Sequence, residues 1–200
     1  GKYTWAKAPR YDVPDLGYVP LEVGPLARQM MSARPGAQDW QDSDQLIKNV
    51  IDELGPSVLT RVLARVHEAP KYFKYVQTWL KELDLHAEFY RKPVEPESGK
   101  GFGGTEAARG ALCDWIVLEN GKIANYQVIT PTAWNIGPRD GNDAIGPMEK
   151  AFIGTPVENP DFPVELGQVA HSYDSCLVCT VHAFDGKTGK ELAKFRMGGG

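Results

Sequence analysis

Two cysteines and a histidine stand within seven residues near the C-terminal end of the sequence, in the order Cys176, Cys179 and His182. Asp174 precedes the first thiol by two positions, whereas the third cysteine of the chain, Cys113, lies far away in sequence. Thiolates are soft, charged ligands that prefer zinc, copper(I), iron and nickel to calcium or magnesium. In a helix, positions i, i+3 and i+6 lie near one face. The spacing therefore indicates a metal site.

The ligand set of this segment, residues 172–182, leaves several kinds of site open. A closed structural zinc site needs four ligands, and this sequence has no second CxxC motif. Either another chain completes the site, or the metal keeps open coordination positions. Buried cysteines beside a capping histidine are the alternative without a metal. A thioredoxin-like redox motif fits less well, because no predicted strand and helix frame the two cysteines.

Two other stretches carry polar residues that could belong to a site. Arg109 stands in a glycine-rich stretch, residues 103–110, which is typical of a tight turn that presents a guanidinium in close quarters. The stretch lacks the Walker A phosphate-loop pattern, and an ordinary turn with a solvent-facing arginine explains it equally well. Further on, a strand is predicted to run into Pro131, and the polar residues Thr132 and Asn135 follow it. Taken alone, that pattern is most simply a strand that ends in a satisfied turn.

Helices that the sequence predicts over about residues 39–92 must position these candidate site residues. Apolar residues recur at helical spacing before and after Gly55 and Pro56, which interrupt the pattern, and they recur again after Pro70. The pattern predicts a helical hairpin or three helices whose apolar stripe packs on a partner surface. Two short helices are also predicted, at about residues 23–31 and 147–152.

The β structure is predicted to be small. Asn120 and Gly121 lie between two β-prone runs, and this dipeptide is the strongest short-range signal for a hairpin. The hairpin region should span about residues 111–130, and a loop rich in glycine and proline is predicted for residues 93–104. We therefore predict a mainly α fold with a small β component, of the α+β class.

Composition limits the remaining possibilities. The chain has 200 residues, with 42% hydrophobic and 24% charged residues, which suits one domain with a real core. The net charge of −4 gives no reason to expect nucleic acid as a partner. No apolar run approaches the ~20 residues of a membrane span, and the first residues lack the pattern of a signal peptide. We expect a chain without targeting or transmembrane segments, located in the cytoplasm or at a membrane through partner subunits.

The order of these stretches resembles the C-terminal part of the large, catalytic subunit of the nickel–iron hydrogenases. The sequence near the C-terminal end is most similar to that of the uptake-type enzymes of the family. The residues that carry the resemblance are 3–12 with 21–28, 106–110, 125–140 and 174–182. On this basis residues 1–182 would form the C-terminal portion of such a subunit. Residues 183–200 resemble a maturation peptide, although a simple surface hairpin explains them as well.

The resemblance implies reversible, heterolytic oxidation of H2 at a nickel–iron centre whose iron carries carbonyl and cyanide ligands. Cys176 would be a terminal nickel ligand and the first proton acceptor, and Cys179 would bridge nickel and iron. Arg109 would lie over the open coordination side as a cation and base. Asp174 would pair with Arg109 and hold it there, since a buried arginine needs a carboxylate.

The resemblance also implies contacts around the centre. Pro131 and Thr132 would line the cyanide ligands, with Thr132 donating a hydrogen bond to one cyanide nitrogen. His182 and the backbone carbonyl of Val128 would bind a nearby magnesium ion.

Departures from the family pattern point to partners. The family's first CxxC lies in the N-terminal half of the large subunit, and this chain lacks it, so that half must come from a separate chain or be missing. Electrons would pass to iron–sulfur clusters in a small subunit, because three cysteines are too few for a cluster here. A maturation endopeptidase would cut after His182. Ala108 and Ser175 stand where the family usually has proline, which loosens the backbone at both positions.

Three other interpretations remain at this point. The chain could be an H2-sensing regulatory subunit of the same fold, although family sensors generally lack a C-terminal extension. It could be a non-redox zinc-binding module that uses Cys176, Cys179 and His182. It could also be a degenerate subunit kept for assembly.

Overall fold

A computed structural model gives the fold and describes residues 8–32, 41–90, 92, 96–175, 179–184, 188 and 191–197. Within residues 41–44, 179–184 and 191–197 the description covers the backbone alone. The described residues form helices and small antiparallel sheets, which confirms the predicted α+β class. In this part of the chain, no helix is both long enough and apolar enough to cross a membrane.

The first elements are a short hairpin and three helices. Strands β1 (Tyr11–Val13) and β2 (Gly17–Val19) pair antiparallel. Helices α1 (Pro25–Ser32), α2 (Gln41–Leu54) and α3 (Val58–Glu82) follow. They enclose a small apolar core, because apolar residues recur at helical spacing on their facing sides. The buried members of this core are Leu26, Ile47, Ile51 and Ala64.

Helix α3 is longer and more continuous than the sequence predicts. It begins with a capping box in which the Ser57 and Thr60 side chains each accept a hydrogen bond from the other residue's backbone N–H. Pro70 lies inside the helix, so of the two predicted alternatives, a helical hairpin or three helices, the separate third helix after Pro70 is wrong. A proline removes one helical hydrogen bond, but residues on both sides of Pro70 keep helical geometry here. The helix ends at Glu82, and residues 83–90 are not helical.

The side of α3 that faces the rest of this chain is largely polar, although Ala64 contributes to the apolar core. Its buried residues are Thr60, Arg61, Ala64 and Glu68. The apolar stripe is exposed instead; its members include Leu59, Val62, Val66, Phe73, Val76, Trp79 and Leu80. The prediction that this stripe packs on a partner surface therefore concerns a surface that the chain itself leaves open.

A three-stranded antiparallel sheet follows, in the order β3 (Gly99–Ala107), β4 (Gly110–Glu119) and β5 (Lys122–Ile129). Asn120 and Gly121 turn the chain between β4 and β5 with positive φ angles of 51° and 69°, as the two-residue hairpin turn requires.

The loop predicted for residues 93–104 is wrong from Gly99 onward, where β3 begins. Glycine is poor at forming strands, but here aromatic rings cover the bare backbone. The Phe102 ring lies over Gly104 and packs against Trp115, with ring centroids 5.1 Å apart.

Three short helices and a hairpin complete the chain. These are α4 (Pro131–Asn135), α5 (Pro147–Phe152), α6 (Val164–Ser172), β6 (Cys179–Phe184) and β7 (Glu191–Met197). Helix α5 forms where the sequence predicts one, whereas α4 and α6 were not anticipated. Strands β6 and β7 pair antiparallel, with Cys179 opposite Met197 and His182 opposite Lys194.

Candidate metal centre

Arg109 and Asp174, 65 residues apart in sequence, lie in contact. Arg109 occupies the turn between β3 and β4, and its Nε donates a hydrogen bond of 2.9 Å to the backbone carbonyl of Asp174. The same Nε lies 3.3 Å from Oδ2 of Asp174. The two side chains are 41% and 40% exposed. The structure thus brings together two of the residues that the resemblance pairs, and it leaves one side of the pair accessible.

The end of α6 directs the chain from Asp174 towards the cysteines. Asp174 has a φ of 53°, a left-handed conformation that commonly ends helices and usually favours glycine or asparagine. Its backbone N–H donates to the carbonyl of His171 at 2.9 Å. Ser175 follows, and its hydroxyl is buried without a hydrogen-bond partner among the described residues. The left-handed turn at Asp174 therefore ends α6 two residues before Cys176 in the sequence.

Tyr173 anchors the C-terminal end of α6 through buried contacts. Its ring is 3% exposed, and the Arg61 guanidinium carbon lies 4.0 Å from the ring centroid. Arg61 donates two hydrogen bonds of 2.8 Å to Glu22 and one of 2.7 Å to the Tyr173 hydroxyl. That hydroxyl donates in turn to the carbonyl of Pro147 at 3.0 Å. Burial, together with the negative charge of Glu22, raises the pKa of Tyr173 above its ordinary value.

A second cation approaches the Asp174 carboxylate. Arg65 Nε lies 4.0 Å from Asp174 Oδ2, and this buried nitrogen has no hydrogen-bond partner within the described part of the chain. Burial lowers the pKa of Arg65 below its ordinary value. The Nε atoms of Arg65 and Arg109 thus both lie within 4.0 Å of Asp174 Oδ2.

Helix α4 brings the predicted cyanide-contacting residues to the same region. The Thr130 side chain caps the helix, Pro131 occupies its first turn, and Thr132 follows half-buried. The Asn135 amide holds both the N–H and the carbonyl of Val23, each at 2.9 Å.

The Arg109 turn meets α4 at this same point. Gly24, which follows Val23, approaches Arg109 so closely that a Cβ on Gly24 would lie 3.0 Å from the Arg109 carbonyl oxygen. Helix α4 and the Arg109 turn are thus joined through one short segment.

The predicted metal ligands are placed less completely. Cys176 lies outside the described residues, while Cys179 and His182 belong to strand β6, whose backbone alone is described. The expectation of one helical face for these residues is therefore wrong at Cys179 and His182. The carbonyl of Val128, in β5, accepts a hydrogen bond of 3.3 Å from the Gln127 side chain. Among the described residues, no three His, Cys, Asp or Glu side chains group as a metal site.

The donors near these segments suit an anionic metal centre in part. Buried N–H and O–H groups without partners among the described residues lie at Arg65, Trp134 and Ser175. Buried donors need acceptors, and cyanide nitrogens are acceptors. The two thiols of Cys176 and Cys179 would provide half of the four-thiolate set that the resemblance implies. The residues present therefore fit one half of a nickel–iron site.

Sequence reasoning missed the residues that fix this geometry, namely Glu22, Arg61, Arg65 and Tyr173. A signal was available in α3, where Arg61, Arg65 and Glu68 recur at helical spacing within an otherwise apolar pattern. A polar stripe on a helix is usually solvated, and the sequence alone does not reveal that this one faces inward.

Known proteins resemble this chain over nearly its whole length. A family profile described as nickel-dependent hydrogenase matches residues 1–182. The uptake hydrogenase large subunit of Bradyrhizobium diazoefficiens is 36% identical, over 98% of this chain and 34% of that protein. The hydrogenase-2 large chain of Escherichia coli is 35% identical, over 92% of this chain and 35% of that protein.

Solved structures agree. The Ni-Fe-Se hydrogenase of Desulfovibrio vulgaris Hildenborough in the reduced state superposes with a TM-score of 0.72 at 32% identity. The superposition covers 84% of this chain and 36% of that one. The present chain thus spans about a third of the length of these relatives. The resemblance inferred from the motifs is confirmed: the chain belongs to the nickel-dependent hydrogenase family and corresponds to part of its large subunit.

Proposed function

We propose that this chain contributes one half of the catalytic site of a hydrogenase that oxidises H2 heterolytically and reversibly. The contact between Arg109 and Asp174 carries the proposal. It holds a cation against Asp174, which lies two residues before Cys176 in the sequence. When bound, a nickel–iron centre with carbonyl and cyanide ligands on iron polarises H2 and accepts its electrons. The chain's own residues hold the centre and handle the proton.

Cys176 and Cys179 are the proposed metal ligands of this half. Their thiolates suit nickel and iron better than they suit harder metals. Cys176 would hold nickel and take the proton released from H2, and Cys179 would hold both nickel and iron. The left-handed turn at Asp174 supports this arrangement, since it fixes the backbone two residues before Cys176.

Arg109 supplies a permanent positive charge, because arginine keeps its proton in proteins. Asp174 holds the Arg109 Nε through a backbone carbonyl and a carboxylate, and the two Nη groups would then face the open coordination side. We propose that Arg109 orients and stabilises developing negative charge, and that the Cys176 thiolate acts as the proton acceptor. Charge held in place before the reaction is the most effective kind of electrostatic assistance.

The surrounding ligand contacts follow the same pattern. Thr132, with Pro131 beside it in the first turn of α4, would donate a hydrogen bond to a cyanide nitrogen. His182 and the carbonyl of Val128 would hold magnesium. The two hydrogen bonds between the Asn135 amide and the Val23 backbone support this role for α4. They join that helix to the segment that also contacts the Arg109 turn.

Partners must complete the site. The missing two thiolates are proposed to come from the N-terminal half of the large subunit, as a separate chain or as the rest of a longer one. The open apolar stripe on α3 supports such a partner, because residues such as Phe73, Trp79 and Leu80 are 57–67% exposed, and large exposed apolar patches usually mark interfaces. An iron–sulfur small subunit receives the electrons. The complex would reside in the cytoplasm or at a membrane through its partners.

A maturation endopeptidase is proposed to cut after His182. The pairing of β6 with β7 supports this role for residues 183–200, since a cut there would divide β6 and free His182 from its opposite residue, Lys194. The ligand segment could then change its position after the metal is loaded.

The test is to purify the chain from its native host together with its bound partners. Metals would be quantified, and infrared spectra would be recorded in the carbonyl and cyanide stretching region. Nickel, iron and those bands, with a partner that carries a second CxxC, are expected. Zinc alone, or no metal with all partners present, would contradict the proposal.

A substitution series refines this test. Arg109→Lys keeps the charge but loses the planar fork, so it should lower H2 oxidation by at least about tenfold while nickel content stays normal. Arg139→Lys is the matched control, because Arg139 also pairs with an aspartate, Asp143, at 2.7 Å but lies exposed in another loop. Equal activity in the two variants would remove Arg109 from the mechanism.

A further inference from the structure

Arg28, in helix α1, reaches across to the turn that carries Arg109. We propose that Arg28 is a positioning residue, which fixes this turn so that Arg109 meets Asp174 beside the cysteine segment. The functional meaning of this position rests on the hydrogenase site proposed above. The structural effect on the turn can be measured without it.

All five N–H donors of the Arg28 guanidinium are used. Nε and Nη2 donate to the two carboxylate oxygens of Glu68 in α3, at 2.8 and 2.7 Å. Nη1 donates to Glu106 at 2.8 Å and to the carbonyl of Ala107 at 2.9 Å. Nη2 also donates to the carbonyl of Ala108 at 3.1 Å. Only a planar fork can satisfy two carboxylates and two carbonyls at once.

These bonds hold the residues immediately before Arg109. Ala107 ends β3, and Ala108 begins the turn, so both carbonyls lie within two residues of Arg109. On the other side of the turn, Gly110 packs tightly against the segment that precedes α1. A Cβ added to Gly110 would lie 2.6 Å from a methyl carbon of Val23. The turn is therefore held from both sides, by Arg28 before Arg109 and by close packing after it.

Charge supports the same conclusion. Glu106 lies three residues before Arg109 and could compete with Asp174 for its guanidinium. Arg28 engages both Glu106 and Glu68, so each of these carboxylates already has a cationic partner. Burial alone would lower the pKa of Arg28, but the bonds to Glu68 and Glu106 outweigh burial and raise that pKa above its ordinary value. Arg28 is thus a firmly held cation that leaves Asp174 as the partner of Arg109.

The test uses the full chain in the complex that it forms with its co-purified partners. Arg28→Lys keeps the charge but offers three donors in place of the planar five. Arg10→Lys is the matched control, because Arg10 also joins a carboxylate, Asp140, and several backbone carbonyls, but in a different loop. Hydrogen exchange would be followed by mass spectrometry, and the carbonyl and cyanide bands by infrared spectroscopy.

In Arg28→Lys, backbone amides of residues 106–112 and 173–175 should exchange about tenfold faster, which corresponds to the loss of one or two hydrogen bonds. The infrared bands should shift measurably in that variant. Arg10→Lys should accelerate exchange only around residues 138–146 and should leave the bands in place. The proposal would be overturned if exchange at residues 106–112 rose equally in both variants. It would also be overturned if Arg28→Lys raised exchange only in α1 and α3.

Two further outcomes are decisive. If Arg28→Lys does not fold, Glu106→Gln replaces it, because this change weakens the link to β3 and keeps the ion pair with Glu68. Faster exchange in the turn without faster exchange in α1 would support the proposal, and an unchanged turn would overturn it. If the turn responds as expected but the wild-type complex shows no carbonyl or cyanide bands, Arg28 still positions Arg109 and the hydrogenase function fails.

Discussion

Replacing Tyr173 with phenylalanine should destabilise the chain strongly, because it deletes one hydroxyl at the centre of the buried network under Asp174. That hydroxyl accepts a 2.7 Å bond from the Arg61 guanidinium and donates a 3.0 Å bond to the Pro147 carbonyl. A bond to a charged group contributes about 1.5–3 kcal/mol and a neutral one about 0.5–1.5 kcal/mol. The ring and its contact with Arg61 remain. We expect the free energy of unfolding to fall by about 2–4 kcal/mol.

The assay is equilibrium unfolding of the full chain in urea, followed by circular dichroism. Tyr126→Phe is the matched control: its hydroxyl also bonds to a charged partner, Asp114, at 2.8 Å, but this tyrosine is 51% exposed. Exposed pairs contribute little, so the control should lose much less stability than Tyr173→Phe. A loss below about 1 kcal/mol in Tyr173→Phe, or equal losses in both variants, would refute the assignment of this network as a support of the site.

The pH dependence of the same residue gives an independent check. Burial raises the pKa of Tyr173 above its ordinary value of 10. The unfolded chain therefore loses the phenolic proton first as the pH rises. The contribution of Tyr173 to the free energy of unfolding is fully present below pH 10 and is lost as the pH rises further. Tyr173→Phe should remove this part of the alkaline decline. An identical alkaline decline in the variant would contradict the raised pKa.

Three further predictions address the surroundings. Gly110→Ala should lower stability by about 1–3 kcal/mol, because its φ is 131° and the new Cβ would lie 2.6 Å from Val23, whereas Gly103→Ala meets open space and should change the urea midpoint little. The Asp140 pKa is lowered, chiefly by the Ala144 backbone N–H and also by Arg10, so the loop around Asp140 should keep its protection from hydrogen exchange above pH 3.8 and lose it as the pH falls further; Asp140→Asn should abolish that dependence. Phe73→Ser with Trp79→Ser should leave helicity unchanged but reduce recovery of the partner that covers α3, as measured by co-purification; undiminished recovery would place the partner elsewhere.

The helices and the main hairpin could be predicted because their signals are local. The apolar spacing before Gly55 and the Asn120 and Gly121 turn each depend on a few neighbouring residues. Strand β3 could not be predicted in the same way, because its glycine-rich sequence forms a strand through pairing with β4, where Phe102 packs against Trp115. Tertiary contacts of this kind override intrinsic propensity.

The candidate site divides along the same line. The motifs named Arg109, Asp174 and the two cysteines, since their residue types and order are distinctive. Arg61 and Arg65, which fix Asp174 and the helix end before it, belong to none of these motifs, and an arginine on a helix usually faces water. Arg61 is 5% exposed only because Glu22 and Tyr173, each distant in sequence, come to meet it.

The distribution of polarity supports the proposal that this chain acts together with a partner. Ordinary helices bury an apolar face and expose a polar one, but α3 buries Arg61 and Glu68 within the chain and leaves Phe73 and Trp79 open. Buried ion pairs gain little net stability after desolvation, so this network is better explained by the precise positions that it gives to Arg109 and Asp174. The remaining stabilisation must come from covering the apolar side of α3. The same partner that completes the four thiolates would then also complete the fold, and metal binding and assembly would depend on one surface.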